Sequence, residues 1–264
     1  TVHRSMRERK RCGGGADLAL KLDRWFSEAP GSTLLRQEQE FLATTLPELF
    51  GYYLTQVCPP GLPVVPLADR RIKSCIVIAR ENPRGSDGDW LCGDPRQLPV
   101  ASDSIDAVLL QHTLDFSPDP HQVLREADRI LIPEGRLLVI GFNPWSLWGV
   151  WQILAKGRGR APWCGRFLSR QRIEDWLSLL GFDLELAQPL MFRPPLRRHG
   201  LMQRLAWLER LGGRWWPLLS GVYALQAVKR VSTLTPVKPA WKLRRAIMGA
   251  RAIEPTARTR GNRG

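Results

Sequence analysis

Three short stretches of the chain place titratable or hydrogen-bonding side chains where an apolar run ends. Gly93-Asp94-Pro95-Arg96 follows Trp90-Leu91-Cys92, Gln111-His112-Thr113-Leu114-Asp115 follows residues 104–110, and Glu81-Asn82 follows residues 75–80. A carboxylate such as Asp94 or Glu81 accepts hydrogen bonds, and an imidazole such as His112 exchanges a proton near neutral pH. Each group also has a plainer use. Asp94-Pro95 is a common Asx-turn dipeptide, and a histidine at a strand end is usually satisfied by a backbone partner. Metal chemistry is not expected: the five cysteines form no CxxC pair and read neither as a zinc site nor as a disulfide framework. Gly13-Gly14-Gly15 follows a charged run rather than a strand, so it fails the context test for a nucleotide loop and reads as a linker.

These groups need a scaffold, and the apolar pattern supplies one. Leu18, Leu22, Trp25 and Phe26, then Leu34, Leu35, Phe41, Leu42 and Leu46, recur at helical spacing and predict two helices. After Pro47 the pattern changes to short apolar runs at 52–57, 75–79 and 90–92, each stopped by proline or glycine, which predict three strands. Residues 104–110 predict a fourth strand, Pro120 opens a helix carrying Val123, Leu124, Ala127 and Ile130, and Pro133-Glu134-Gly135 stops it before a strand at 136–142. Strand, helix and strand with short loops make a βαβ unit and hence a parallel sheet. Ser169 caps a helix to Leu180, Gly181 ends it, and strands follow at 182–189 and 221–228.

The chain has 264 residues, 44% hydrophobic and 24% charged, enough to bury a full core and to exclude wholesale disorder. Most of its net charge of +14 sits in residues 1–11 and 236–264. Such basic ends attract nucleic acid or anionic membrane without reading sequence. The organisation expected is a basic start with helices over 1–45, a sheet domain over 46–232 and a flexible basic tail over 233–264. Scattered cysteines and a start without an apolar signal segment point to the cytoplasm. Residues 137–155 carry no charge and imitate a membrane span, but Gly141-Phe142-Asn143-Pro144 interrupts them, so a buried strand, a turn and a Trp-rich helix are expected. Trp145, Trp148 and Trp151 in that helix suit either core packing or a surface touching lipid or an apolar substrate.

Between Gly93 and Pro144 the wording becomes specific. Gly93-Asp94-Pro95-Arg96-Gln97-Leu98-Pro99, Asp103-Ser104-Ile105-Asp106-Ala107-Val108 and Leu124-Arg125-Glu126-Ala127-Asp128-Arg129-Ile130-Leu131-Ile132-Pro133-Glu134-Gly135 follow in order. This stretch resembles the type-11 group of class I S-adenosylmethionine-dependent methyltransferases, with their D-x-x-x-L-P-F, F-D-x-V and L-R-E-x-x-R-V-L-K-P-G-G segments. The resemblance covers residues 46 to 190 and is close over some fifty of them. It implies an α/β, Rossmann-like methyltransferase fold, a mainly parallel sheet with helices on both faces, and methyl transfer from S-adenosylmethionine to an unidentified acceptor. It also implies a cofactor site at the carboxyl ends of the strands. There Asp94 would bind the adenine amino group, Arg96 would wall the ring, Glu81 would hold the ribose, and Gln111 and His112 would face the methionine end and substrate. The family's glycine-rich loop, D/E-x-G-x-G-x-G, has no counterpart: residues 46–61 offer only Gly51 and Gly61. That departure keeps a second expectation in view, a non-catalytic interaction module of the same fold that binds nucleic acid or anionic membrane through its basic ends.

Overall fold

Apolar side chains that alternate between the two sides of each strand decide the architecture. The computed structural model describes residues 15–49, 51–64, 73–81, 90–155, 159–196, 200, 204–205 and 207–230. The basic start, Gly13, Gly14, Asn82 and the tail at 233–264 lie outside them. The strands are β1 (Tyr53–Val57), β2 (Ser74–Ala79), β3 (Trp90–Cys92), β4 (Ile105–Gln111), β5 (Leu131–Phe142), β6 (Phe182–Leu190) and β7 (Val222–Lys229). They form one sheet in the order β3-β2-β1-β4-β5-β7-β6. Neighbours from β3 to β5 are parallel, whereas β7 runs antiparallel to both β5 and β6. The strand order reverses between β1 and β4, and in open α/β sheets the crevice at such a switch point takes ligand.

Helices cover both faces, as expected. On one face α1 (Gly15–Ser27), α2 (Gly31–Thr45) and α5 (Leu147–Ala155) place Leu22, Phe26, Leu34, Leu42 and Trp148 against Leu54, Ala107, Leu109, Leu138, Ile140 and Ala224. On the other, α4 (Pro120–Ile130) and α6 (Arg170–Leu179) place Val123, Leu124, Ala127, Ile173 and Leu177 against Val108, Leu110, Leu137, Val139 and Leu225. The period of two along β4 and β5 is what feeds both layers. The first two helices therefore share the core of the sheet.

Local chemistry accounts for most boundaries. The Asp119 carboxylate accepts from the Gln122 backbone N–H at the start of α4, with Pro120 in the first turn. Gly181, at φ +86°, follows α6 in the left-handed conformation that glycine tolerates. Asp106 accepts from the backbone N–H groups of Tyr52 and Tyr53 and so anchors the entry to β1. Two details differ from expectation. Pro133-Glu134-Gly135 does not separate α4 from the fifth strand; β5 begins at Leu131 and contains that turn as an irregularity, its register on β4 shifting between Ile105 and Ala107. The Ser169 side chain makes no capping bond on α6. Residues 137–155 divide into the second half of β5, a turn and α5, and among the described residues no helix is long and apolar enough to cross a membrane.

Candidate functional site

The loop after β3 is held by the helix behind it. The Glu126 carboxylate on α4 accepts from the Leu98 N–H, and the Arg129 guanidinium donates to the carbonyls of Leu98 and Val100. Those contacts present Asp94 at the carboxyl edge of the sheet. Its Oδ1 accepts from Arg96 N and Nε at 3.0 and 3.1 Å, and its Oδ2 accepts from Arg80 Nη2 and Arg96 Nη2, both at 2.7 Å. Partial burial works against the charge, but the hydrogen bonds from Arg96 and Arg80 outweigh it and hold the carboxyl well below the ordinary range. Asp94 is thus a carboxylate with four donors already aimed at it, and its side chain remains 33% exposed.

Helix α1 lies across the ends of β1 and β2. Gly61, in the loop after β1, has φ +82°, and a Cβ there would sit 2.1 Å from the Ala19 carbonyl oxygen. Only glycine allows that approach. A Cβ on Gly15, the first described residue of α1, would sit 2.9 Å from Glu81 Oε1, so the Glu81 carboxylate lies against that part of the helix. Cys58, at the end of β1, is buried, and burial followed by the influence of Cys75 pushes its thiol up to about 12.

Beneath this cover is a buried polar cluster. His112, at φ +52° between β4 and the short helix α3 (Thr113–Phe116), donates from Nε2 to Glu38 Oε1 at 2.8 Å and from Nδ1 to Asp115 Oδ2 at 3.1 Å. Gln111 Nε2 donates to Glu38 Oε2 at 2.6 Å, and Gln56 Nε2 donates to Gln111 Oε1 at 3.1 Å. Asp115 Oδ2 also accepts from the Phe142 N–H, and the Thr113 hydroxyl donates to the Val57 carbonyl at 2.6 Å, tying β1 to β4. Burial alone would lower the His112 pKa, but the charge of Glu38 and the hydrogen bonds to Asp115 and Glu38 raise it to about 9. The ring is therefore an imidazolium, with the Phe142 ring stacked on it at 4.2 Å. One cation cannot neutralise two carboxylates, and burial pushes the Asp115 carboxyl up despite its bond to His112. Asp115 Oδ1 and Gln56 Oε1 are buried with no partner.

The five residues expected at a cofactor separate into two levels. Asp94, Arg96 and Glu81 lie at the rim, while Gln111 and His112 lie fully buried under Glu38. Sequence reasoning missed Glu38, Gln56 and Arg80. Glu38 carried a signal: it interrupts the apolar stripe of α2, four residues after Leu34 and three before Phe41, so its carboxylate had to be buried. Also missed was a cavity of about 370 Å³ beyond β5, lined by Asn143, Trp145, Arg170, Glu174, Leu218 and Tyr223 among others. Burial, then the charges of Asp115 and Glu174, keeps the Tyr223 phenol well above its ordinary pKa, so it stays protonated.

Comparison with known proteins places this geometry. Residues 71–139 match the family described as a methyltransferase domain, and this segment, which runs through β2, β3, β4, α4 and most of β5, belongs to the type-11 group of class I. The uncharacterized protein YafS of Escherichia coli is 46% identical over 91 residues, which are 34% of this chain and 38% of YafS. The ubiquinone/menaquinone biosynthesis C-methyltransferase UbiE of Roseobacter denitrificans is 36% identical over 55 residues, 21% of this chain and 22% of UbiE. The chain thus spans well under half the length of these curated relatives. A solved S-adenosylmethionine-dependent methyltransferase of Thermotoga maritima, described as a possible histamine N-methyltransferase, superposes with a TM-score of 0.55 at 22% identity. It covers 78% of this chain and 94% of its own. At that identity it establishes the fold, a Rossmann-like methyltransferase sheet.

Proposed function

We propose that the protein is a methyltransferase that binds S-adenosylmethionine along the carboxyl edge of β1 to β4 and alkylates an acceptor held on the β5 to β7 side. One observation carries the reading: the segment matching the methyltransferase family, 71–139, delivers the one-third-exposed Asp94 carboxylate to that edge, beside the point where strand order reverses. The residues present fit the adenosine end of such a cofactor. Asp94 would accept from the adenine amino group, sharing acceptor positions that Arg80 and Arg96 now use, Arg96 would border the ring, and Glu81 would accept from ribose hydroxyls. When bound, the cofactor supplies a methyl group already activated on a sulfonium, so the protein's own task is to orient the acceptor and exclude water. The Glu38–His112–Asp115 cluster serves that task as a rigid floor that joins α2 to the ends of β4 and β5.

The alternative, an interaction module without cofactor, draws on the four donors already on Asp94 and on α1 lying over the loop after β1. Calorimetric titration with S-adenosylmethionine and S-adenosylhomocysteine separates the two. Saturable binding is expected, weakened roughly 10- to 100-fold in Asp94→Ala, the worth of one hydrogen bond to a charged group. No binding by folded protein would overturn the enzyme reading, and unchanged affinity in the variant would remove Asp94 from the site.

A further inference from the structure

Helix α5 turns the usual surface pattern outward. Leu147, Val150, Trp151 and Leu154 recur at three and four residues, the spacing of a single helical face, yet all are exposed, Leu154 by 67% and Trp151 by 45%. The opposite side, with Trp148 and Ala155, is buried in the core. A second apolar group adjoins it. The Asn143 side chain accepts from the Trp145 N–H and donates to the carbonyls of Leu218 and Ser220, which sets the Pro217–Leu219 turn beside the start of α5. Trp145 is 72% exposed, and Trp216, Leu218 and Leu219 are more than half exposed. A contiguous apolar surface of this kind on a folded chain marks a binding face.

Charge says what it binds. Residues 137–173 hold six lysines and arginines and no acidic residue, and residues 189–219 hold six arginines against Glu209. Both segments that build the apolar face are therefore strongly cationic. Tryptophans and leucines carried on cationic segments match the boundary between acyl chains and anionic headgroups.

We propose that the exposed face of α5, with Trp145 and the Pro217–Leu219 turn, docks this protein on an anionic bilayer. Trp145 and Leu218 also line the 370 Å³ cavity, so docking places that cavity at the lipid surface. Resting on the methyltransferase reading, the docked geometry makes the acceptor an amphipathic molecule taken from the membrane.

The test is sedimentation of the whole 264-residue chain with phosphatidylcholine vesicles, with and without phosphatidylglycerol, in the absence of cofactor, so that its outcome is independent of cofactor binding. Wild type is expected to partition onto the anionic vesicles, and Trp151→Ser/Leu154→Ser to lose about tenfold or more, since both side chains would leave the apolar phase. A Lys242→Ala/Arg244→Ala/Arg245→Ala variant in the basic tail is expected to lose less, and an unchanged urea midpoint shows that each variant is folded. In vesicles of dibrominated phosphatidylcholine with phosphatidylglycerol, tryptophan quenching is expected and should diminish in Trp145→Phe, which reports the cavity mouth directly. Equal partition of wild type and the α5 variant would overturn the proposal, as would no binding to either vesicle. A dimer in solution that the α5 variant breaks, with no vesicle binding, would assign the face to a second copy of the chain.

Discussion

The carboxyl edge of the sheet finishes differently on its two halves. Over β1 and β4, α1 and α2 close the edge, and every side-chain polar group of Gln111 and His112 faces a buried partner from Glu38, Asp115 or Gln56. Over β5, β7 and β6 the edge stays open as a cavity with an exposed tryptophan at its mouth and an apolar helix beside it. Of the closed half, β4 with Gln111 and His112 lies in the segment that matches the methyltransferase family, whereas α1, α2 and β1, with Glu38 and Gln56, lie outside that match, as do α5 and the turn before β7. A shared cofactor asks for one fixed constellation, whereas acceptors differ, and a fold hosts many of them by varying what lies at its edge.

If the closed half is rigid because its buried charges satisfy one another, Glu38→Ala should be the most damaging single change. It strands His112 and Gln111 in the interior, and a loss of about 3–5 kcal/mol is expected in urea unfolding, the cost of breaking a buried ion pair from one side. A loss of less than about 1 kcal/mol would show that water reaches the cluster and that the two halves are alike in openness.

The same cluster predicts a pH dependence. His112 has its pKa raised from the ordinary 6.5 to about 9 in the folded protein, so its contribution is complete below 6.5 and disappears as pH rises through about 9. Cys58, held protonated up to about 12, adds to the loss above pH 9. Melting temperature should therefore fall between pH 6.5 and 9 and continue down above it. Glu38→Gln, which removes the charge that raises His112, should flatten the first part of that fall. An equal slope in wild type and variant would place the titration elsewhere.

The smallest effect is expected on the open half. Leu154→Ser removes an apolar side chain that is 67% exposed and should change stability by no more than about 0.5 kcal/mol in the same unfolding assay. A larger loss would mean that α5 packs against something in solution, and the contrast between the halves would shrink.

Much of the fold was legible along the chain because it rests on local patterns. Alternation over β4 and β5, the helical spacing of Val123, Leu124, Ala127 and Ile130, and glycine at 181 each act within a few residues, and the motif from Gly93 to Gly135 named the family without any contact information. Asp94, Arg96 and Glu81 could be placed at strand ends for the same reason. The rest depended on long-range encounters. Glu38 meets His112 across 74 positions of sequence, Arg80 meets Asp94 across 14, and Leu218 meets Asn143 across 75. Local propensity carries no information about such pairings. The tryptophans of the 145–151 segment show the division most clearly. Their spacing allowed core or surface, and the tertiary structure buried Trp148 against Gly221 while leaving Trp145 and Trp151 exposed. Composition and period are properties of the chain alone, whereas which side of a helix meets the sheet is settled only when the sheet exists to meet it.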